Sequence, residues 1–195
     1  MSKKLSLKDI ILIALLTAVY MILYFIAMGI ISVLGPFGHA ISPGIAGILS
    51  GAVLYFMNRK IGKMWEYSLF TLIVMAIFAL MGGAYLPWLI TSMIMAMIAD
   101  FISSKSNDTP VWKLAVSSGL MHMGQAWGAI IPSLFFVESY RNHWIARGQS
   151  PADMDANIYY TGGMFGILAS VITFALSFIG MYIGYLLLRK HFKEK

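Results

Sequence analysis

Two polar side chains capable of chemistry, His122 and Gln125, sit in the apolar stretch "SSGLMHMGQAWGAIIPS", residues 117–133. An imidazole can hydrogen-bond, carry a proton or ligate a metal, and a carboxamide both donates and accepts. At 100° per residue, Ser118, His122, Gln125, Ala129 and Ser133 share one helical face. Gly124 and Gly128 lie on another face, spaced for close approach to a neighbouring helix. Two readings remain open for the polar stripe: hydrogen bonds between helices, or the wall of a cavity. Counting about 1.5 Å per residue from Val111 puts His122 near a bilayer midplane.

Hydrolytic and redox signatures are missing from the rest of the chain. There is no HExxH metal motif, no GxSxG elbow and no GxxxxGK[ST] loop. Cysteine is absent, so neither a disulfide framework nor a thiolate nucleophile exists. The acids Asp9, Glu66 and Asp100 fall near predicted cytoplasmic helix ends, and Asp100 and Glu66 are expected to partner nearby lysines there. An intramembrane enzyme and an ion-coupled carrier both want ionisable groups at membrane depth, and these are scarce.

The elements that position His122 and Gln125 follow from composition. Of 195 residues, 59% are hydrophobic and 11% charged, against about 25% charged in soluble domains. Apolar runs approach or exceed the ~20 residues that cross a bilayer as a helix. The expectation is an all-α integral membrane protein, one domain over 1–195, with six transmembrane helices. The spans are placed at 9–34, 40–57, 64–82, 84–103, 111–137 and 161–188. Turn-forming stretches "GPFGH" (35–39), "NRKIGK" (58–63), "GGAY" (82–85) and "SKSNDTP" (104–110) divide the first five. The apolar run Ile10–Leu34 is longer than the h-region of a signal peptide and is read as a retained first helix.

Twelve cations, Lys3, Lys4, Lys8, Arg59, Lys60, Lys63, Lys105, Lys113, Arg189, Lys190, Lys193 and Lys195, fall on one predicted side, leaving only Arg141 and Arg147 on the other. By the positive-inside rule both termini are expected in the cytoplasm of a multi-pass plasma-membrane protein. The basic residues form no tract, so a nucleic-acid partner is not expected. The external segment 138–160, "ESYRNHWIARGQSPADMDANIYY", has the length and aromatic content of an ordered cap. Small-residue ridges at Ala14/Ala18, Gly47/Gly51, Gly162/Gly166 and Gly180/Gly184 predict close helix packing.

Six helices, cytoplasmic termini and the first-span "ALLTA" resemble the substrate-binding S component of energy-coupling-factor (ECF) transporters. "KLSLKDIILIALLTAVYMILYF", "FFVESYRNHW" and "GYLLLRKHFKEK" are similar, more closely, to the Trep_Strep branch of membrane proteins. The resemblance implies an S-component-like bundle that captures a micronutrient outside and delivers it inward with partners. Those partners are a transmembrane coupling protein, docked on Ala14 and Ala18, and two cytoplasmic ATPases. The chain itself would be no enzyme and would carry no resident cofactor or metal.

The resemblance also implies a pocket in the outer half. His122 and Gln125 would lie at its floor with Trp127 and Trp88 nearby, and His39, Arg141, His143, Tyr159 and Tyr160 at its mouth. Haem fits the imidazoles and arginines, with His122 or His39 as axial ligand and arginine for the propionates. A vitamin-like molecule is the other candidate substrate. An autonomous small carrier or channel, or a membrane-embedded enzyme, are the alternatives to an ABC importer subunit.

Overall fold

The computed structural model describes residues 4–103, 106 and 108–192. Lys3, Lys105, Lys193 and Lys195 of the charge argument lie outside the described residues, as does part of the expected turn 104–110.

Among the described residues the elements are helical: α1 (Leu7–Ile31), α2 (Gly35–Lys60), α3 (Glu66–Leu80), α4 (Leu86–Ser103), α5 (Val111–Phe135), α6 (Val137–Ile145), α7 (Pro151–Thr161) and α8 (Gly163–Leu188), with 3-10 turns at Ser32–Leu34 and Arg189–His191. A reciprocal cap starts α1. Asp9 accepts from Ser6 N at 2.7 Å, while its own N–H reaches Ser6 Oγ at 3.4 Å, so two otherwise unpaired groups satisfy each other. One stripe of α1 is buried, including Ile13, Thr17, Tyr20, Tyr24, Ala27 and Ile31. The opposite stripe, with Ala14, Ala18, Ile22 and Ile26, is exposed.

The stretch "GPFGH" is not the turn expected from its glycines and proline. The chain turns at Gly35, at a φ of +63°, a left-handed value that glycine adopts without strain. Pro36 then opens α2, where its missing N–H costs nothing. Pro43 lies inside α2 without ending it.

The closest helix pair is α2 against α8. A Cβ placed on Gly44 would come within 2.6 Å of Thr173 Cα, and one on Gly180 within 2.5 Å of Ile48 Cα. Gly47 faces Ser177, and Gly51 faces the Gly180 carbonyl. Small residues on both helices let the backbones touch, which is how helices gain packing energy in lipid. The Gly124/Gly128 ridge does the same for α5 against α4, seating Met95 and Trp88.

Among the described residues four helices are long and apolar enough to cross a membrane: α1, α2, α4 and α8 through His191. A fifth is reached if α5 and α6, bent by 116° at Phe136, are counted as one span. Helix α3 is apolar but has only 15 residues, about 22 Å at 1.5 Å each, against the ~30 Å of a bilayer core. The six expected spans therefore become four clear ones, a bent pair and a short helix. Boundaries shift by a few residues as well: α2 runs over Gly35–Lys60 against the expected 40–57, α5 ends at Phe135 before the expected 137, and the expected cap 138–160 is built mostly of α6 and α7.

Apart from Arg141 and Arg147 at the cap, the described basic residues collect at one end of the bundle. Lys63 pairs with Asp9 at 2.6 Å, joining the α2–α3 link to the start of α1. Arg59 donates to the Thr109 carbonyl at 2.7 Å, and Lys60 lies 5.5 Å from the Phe192 ring. At the same end Asp100, fully buried on α4, accepts from the backbone N–H groups of Tyr67 and Ser68, both at 2.9 Å, and from Ser68 Oγ at 2.6 Å. Its carboxylate thus caps the start of α3, where the helix dipole favours negative charge. Glu66, also buried, accepts from Asn58 Nδ2 at 2.6 Å. Where lysines were expected beside Glu66 and Asp100, Glu66 meets Asn58 and Asp100 the start of α3, while Lys63 goes to Asp9.

Candidate functional site

At the opposite end of the bundle lies a cavity of about 220 Å³. Tyr24 of α1, His39 and Ser42 of α2, Phe78 of α3, Trp88 of α4 and Gln125 of α5 form its walls and floor. Tyr140 and Trp144 of α6, Gln149, and Asn157 and Thr161 of α7 close it from above. A second cavity of about 280 Å³ adjoins it, sharing His39, Gln149 and Asn157 and reaching Met28, Pro36 and Asp153.

The floor is set by pairing across helices. Gln125 is 3% exposed, and its Oε1 accepts from the fully buried Tyr20 hydroxyl at 3.4 Å. That contact leaves the Gln125 NH2 without a protein partner. His122 lies one turn along α5 from Gln125, fully buried, with its ring centre 5.9 Å from that of Tyr20. Its Nδ1–H donates to the Ser118 carbonyl at 2.8 Å, so Nε2 is the unprotonated nitrogen of the neutral ring. Among the described residues Nε2 has no partner. His122 is not among the residues lining the cavity; it stands behind Gln125 and Tyr20.

Trp88 reaches the cavity because α5 offers no side chain to block it. A Cβ on Gly128 would come within 2.6 Å of Trp88 Cβ. Phe78 meets the same indole edge-on at 5.3 Å. Above, Tyr85 packs on Tyr140 at 5.4 Å, His143 at 4.6 Å and Trp144 at 6.0 Å, which fastens α6 over the opening.

Helix α7 is tied down twice. The Tyr140 hydroxyl donates to Asn157 Oδ1 at 3.3 Å, and Ser133 Oγ meets Thr161 Oγ1 at 2.6 Å. Its start carries a Ser150–Asp153 cap, with Asp153 N donating to Ser150 Oγ at 3.1 Å.

The sequence-derived candidates divide. Gln125, Trp88 and His39 line the cavity together. Trp127 points elsewhere: its indole N–H donates to Ser170 Oγ on α8 at 3.0 Å. Arg141 is held by Asp155, through Nε at 2.5 Å and Nη2 at 3.1 Å. That fork pulls the Asp155 carboxyl below the usual aspartate range. His143 accepts at Nδ1 from Arg147 at 3.2 Å. Partial burial and the Arg147 cation push its pKa below that of an ordinary histidine, so it is neutral at pH 7. Tyr159, 62% exposed, and Tyr160 cluster with Phe165, and Tyr160 with Phe37, away from the lining.

Sequence reasoning missed Tyr20 and Tyr24 on α1, although their i, i+4 spacing puts both on one face. It also missed Tyr140, Trp144 and Asn157, which become neighbours of the floor only after the chain bends at Phe136. No Asp, Glu, Lys or Arg among the described residues lines the cavity. Among the described residues no three His, Cys, Asp or Glu side chains gather in a way that could hold a metal ion. The chemistry on offer is a neutral, aromatic, hydrogen-bonding surface, suited to holding a small molecule.

A family described as "hypothetical bacterial integral membrane protein (Trep_Strep)" matches residues 7–194. Neither a curated protein nor a solved structure matches the chain. With the match extending over nearly the whole sequence, the chain belongs to the Trep_Strep family of bacterial integral membrane proteins.

Proposed function

We propose that this chain is the substrate-binding S component of an ECF-type importer. The observation that carries the reading is the capped cavity of about 220 Å³ at the end of the bundle away from all the described basic residues but Arg141 and Arg147. By the positive-inside rule the basic end faces the cytoplasm, which turns the cavity and its α6–α7 cap outward. In this reading α1, α2, α3, α4, α5 and α8 traverse the plasma membrane, with α3 the short member and both termini inside. The substrate is a scarce micronutrient, haem or a vitamin-like molecule, bound from outside and released inward.

ATP hydrolysis then falls to two cytoplasmic ATPases, acting through a transmembrane coupling protein. Exposure of Ala14 and Ala18 on the outer stripe of α1 supports docking there, because small residues allow a partner helix to approach closely. The test is affinity purification of the tagged chain from its native membrane. Stoichiometric recovery of a coupling protein and ATPases is the expected result. Recovery of the chain without any ATPase overturns the assignment in favour of an autonomous carrier.

A further inference from the structure

Buried polar atoms without partners are rare in folded proteins, and two of them belong to side chains that line this one cavity. Gln125 Nε2, on the floor, has no protein acceptor because Oε1 is the atom that meets Tyr20. Trp144 Nε1, on the cap, is buried and has none either. Both are N–H donors, and an indole can only donate. They come from different elements, one on α5 and one on α6, which the chain reaches only after the bend at Phe136.

Charge is excluded from the same space. Arg141, the cation of the cap expected to reach substrate, is occupied by Asp155, and Arg147 is directed to His143 and the outer indole face of Trp144. The adjoining cavity carries a carboxylate, Asp153, which would repel an anion. Between the two donors the walls are aromatic: Tyr24, Phe78, Tyr85, Trp88 and Tyr140. At about 220 Å³ the space is smaller than the roughly 300–1,000 Å³ of drug-sized sites.

We infer that the substrate is an uncharged, planar heteroaromatic molecule of one or two rings, bearing hydrogen-bond acceptors at both ends, one for Gln125 Nε2 and one for Trp144 Nε1. This rests on the cavity being the capture site proposed above. It selects the vitamin-like class and disfavours haem, whose propionates are anionic and would find no cation in the lining. A burial cost falls on any charge brought into a space without a counter-charge. Aromatic walls, by contrast, favour a flat ring in stacked or edge-on contact.

The experiment uses the full chain in lipid nanodiscs and three matched probe sets: planar heteroaromatic amides such as pyrazinamide, the corresponding carboxylates, and the N-methylated cations. Iron protoporphyrin is the fourth probe. Tryptophan quenching and ligand-observed NMR report binding. Neutral amides should bind at least ten-fold more tightly than either charged set. Trp144→Phe and Gln125→Glu, removing one donor each from α6 and α5, should both weaken amide binding several-fold. The charge series on the unmodified chain does not depend on either variant folding.

Tighter binding of carboxylates, cations or protoporphyrin overturns the inference and leaves substrate capture standing. Absence of binding by every probe, with the ATPases still co-purifying, also overturns the inference and leaves the transporter assignment intact. Amide binding without co-purifying ATPases supports the inference and overturns the transporter assignment.

Discussion

The Tyr20 hydroxyl on α1 meets Gln125 Oε1 on α5 at 3.4 Å across 105 positions of sequence. This contact orients the Gln125 amide, presenting its NH2 to the cavity and its oxygen to the helix bundle. Tyr20 is also a ring neighbour of His122 and of Phe70, the latter edge-on at 4.8 Å. One phenol thus sets the order of the floor, with Gln125 in front and His122 behind.

That order separates affinity from stability. Gln125→Ala removes one hydrogen bond to substrate, worth about 0.5–1.5 kcal/mol, so affinity should fall roughly two- to twelve-fold, alongside some loss of Tm from the stranded Tyr20 hydroxyl. His122→Ala should instead lower Tm by several degrees, since it empties a fully buried site, and leave affinity near the original. Calorimetry and binding measured on the same two variants check this. A ten-fold affinity loss in the His122 variant would bring the imidazole into the floor itself.

The α2–α8 contact should be intolerant of volume. Gly180→Leu forces the backbones apart, and overpacking of this kind costs about 1–3 kcal/mol. Gly29, where an added Cβ meets nothing within 4 Å, is the control: Gly29→Ala should be neutral or slightly stabilising. Thermal unfolding in detergent distinguishes them, and equal Tm values for the two variants would contradict the packing account.

Asp100→Ala should destabilise the start of α3. The substitution strands the Tyr67 and Ser68 N–H groups, at a cost of about 1–3 kcal/mol for losing their charged acceptor. Asp100→Asn keeps one acceptor oxygen and should recover part of the loss. Hydrogen exchange at residues 66–70 is the measurement, with faster exchange in Asp100→Ala than in Asp100→Asn.

The Arg141–Asp155 fork predicts a pH dependence for the cap. Asp155 has a folded pKa below its ordinary value, so its contribution is present at neutral pH. That contribution is lost as pH falls through the lowered folded value. Protease sensitivity between α6 and α7 should therefore stay constant across neutral pH and rise only in strong acid. Arg141→Ala should show the higher sensitivity already at pH 7. Both groups are exposed, so global stability should barely change.

Docking through α1 predicts a different separation. Replacing Ala14 and Ala18 together with Trp should prevent recovery of the coupling protein while leaving substrate affinity and Tm unchanged, because both side chains face away from the bundle. An assembled complex from the double variant would move the docking surface elsewhere.

Helical, membrane-embedded character was legible from the sequence because it depends on composition and on runs of apolar residues, which are local properties. The grouping of basic residues followed for the same reason, since each lies at the end of such a run. Helical periodicity also separated the Gly124/Gly128 ridge from the Ser118–His122–Gln125 stripe. What periodicity cannot supply is the neighbour that each face meets. Trp127 shares α5 with Gln125, yet it turns to Ser170 on α8, because the two side chains leave the helix about 200° apart.

An ordered cap over 138–160 was expected, but the bend that seats it was the part least visible in sequence. Phe136 interrupts α5 with a bend of 116° to α6, and no glycine or proline stands at that residue to announce it. Only there does the chain fold back to carry Tyr140 and Trp144 over a floor set fifteen or more positions earlier. Asp100 is the same case at the other end. Read alone it is an acid near a helix terminus that should seek a lysine, and only the packing of α4 beside α3 brings two backbone N–H groups to it. Sequence determined which segments are helices and where their charges lie. Tertiary structure decided which side chains converge, because buried polar groups must find partners and only the folded bundle says which are within reach.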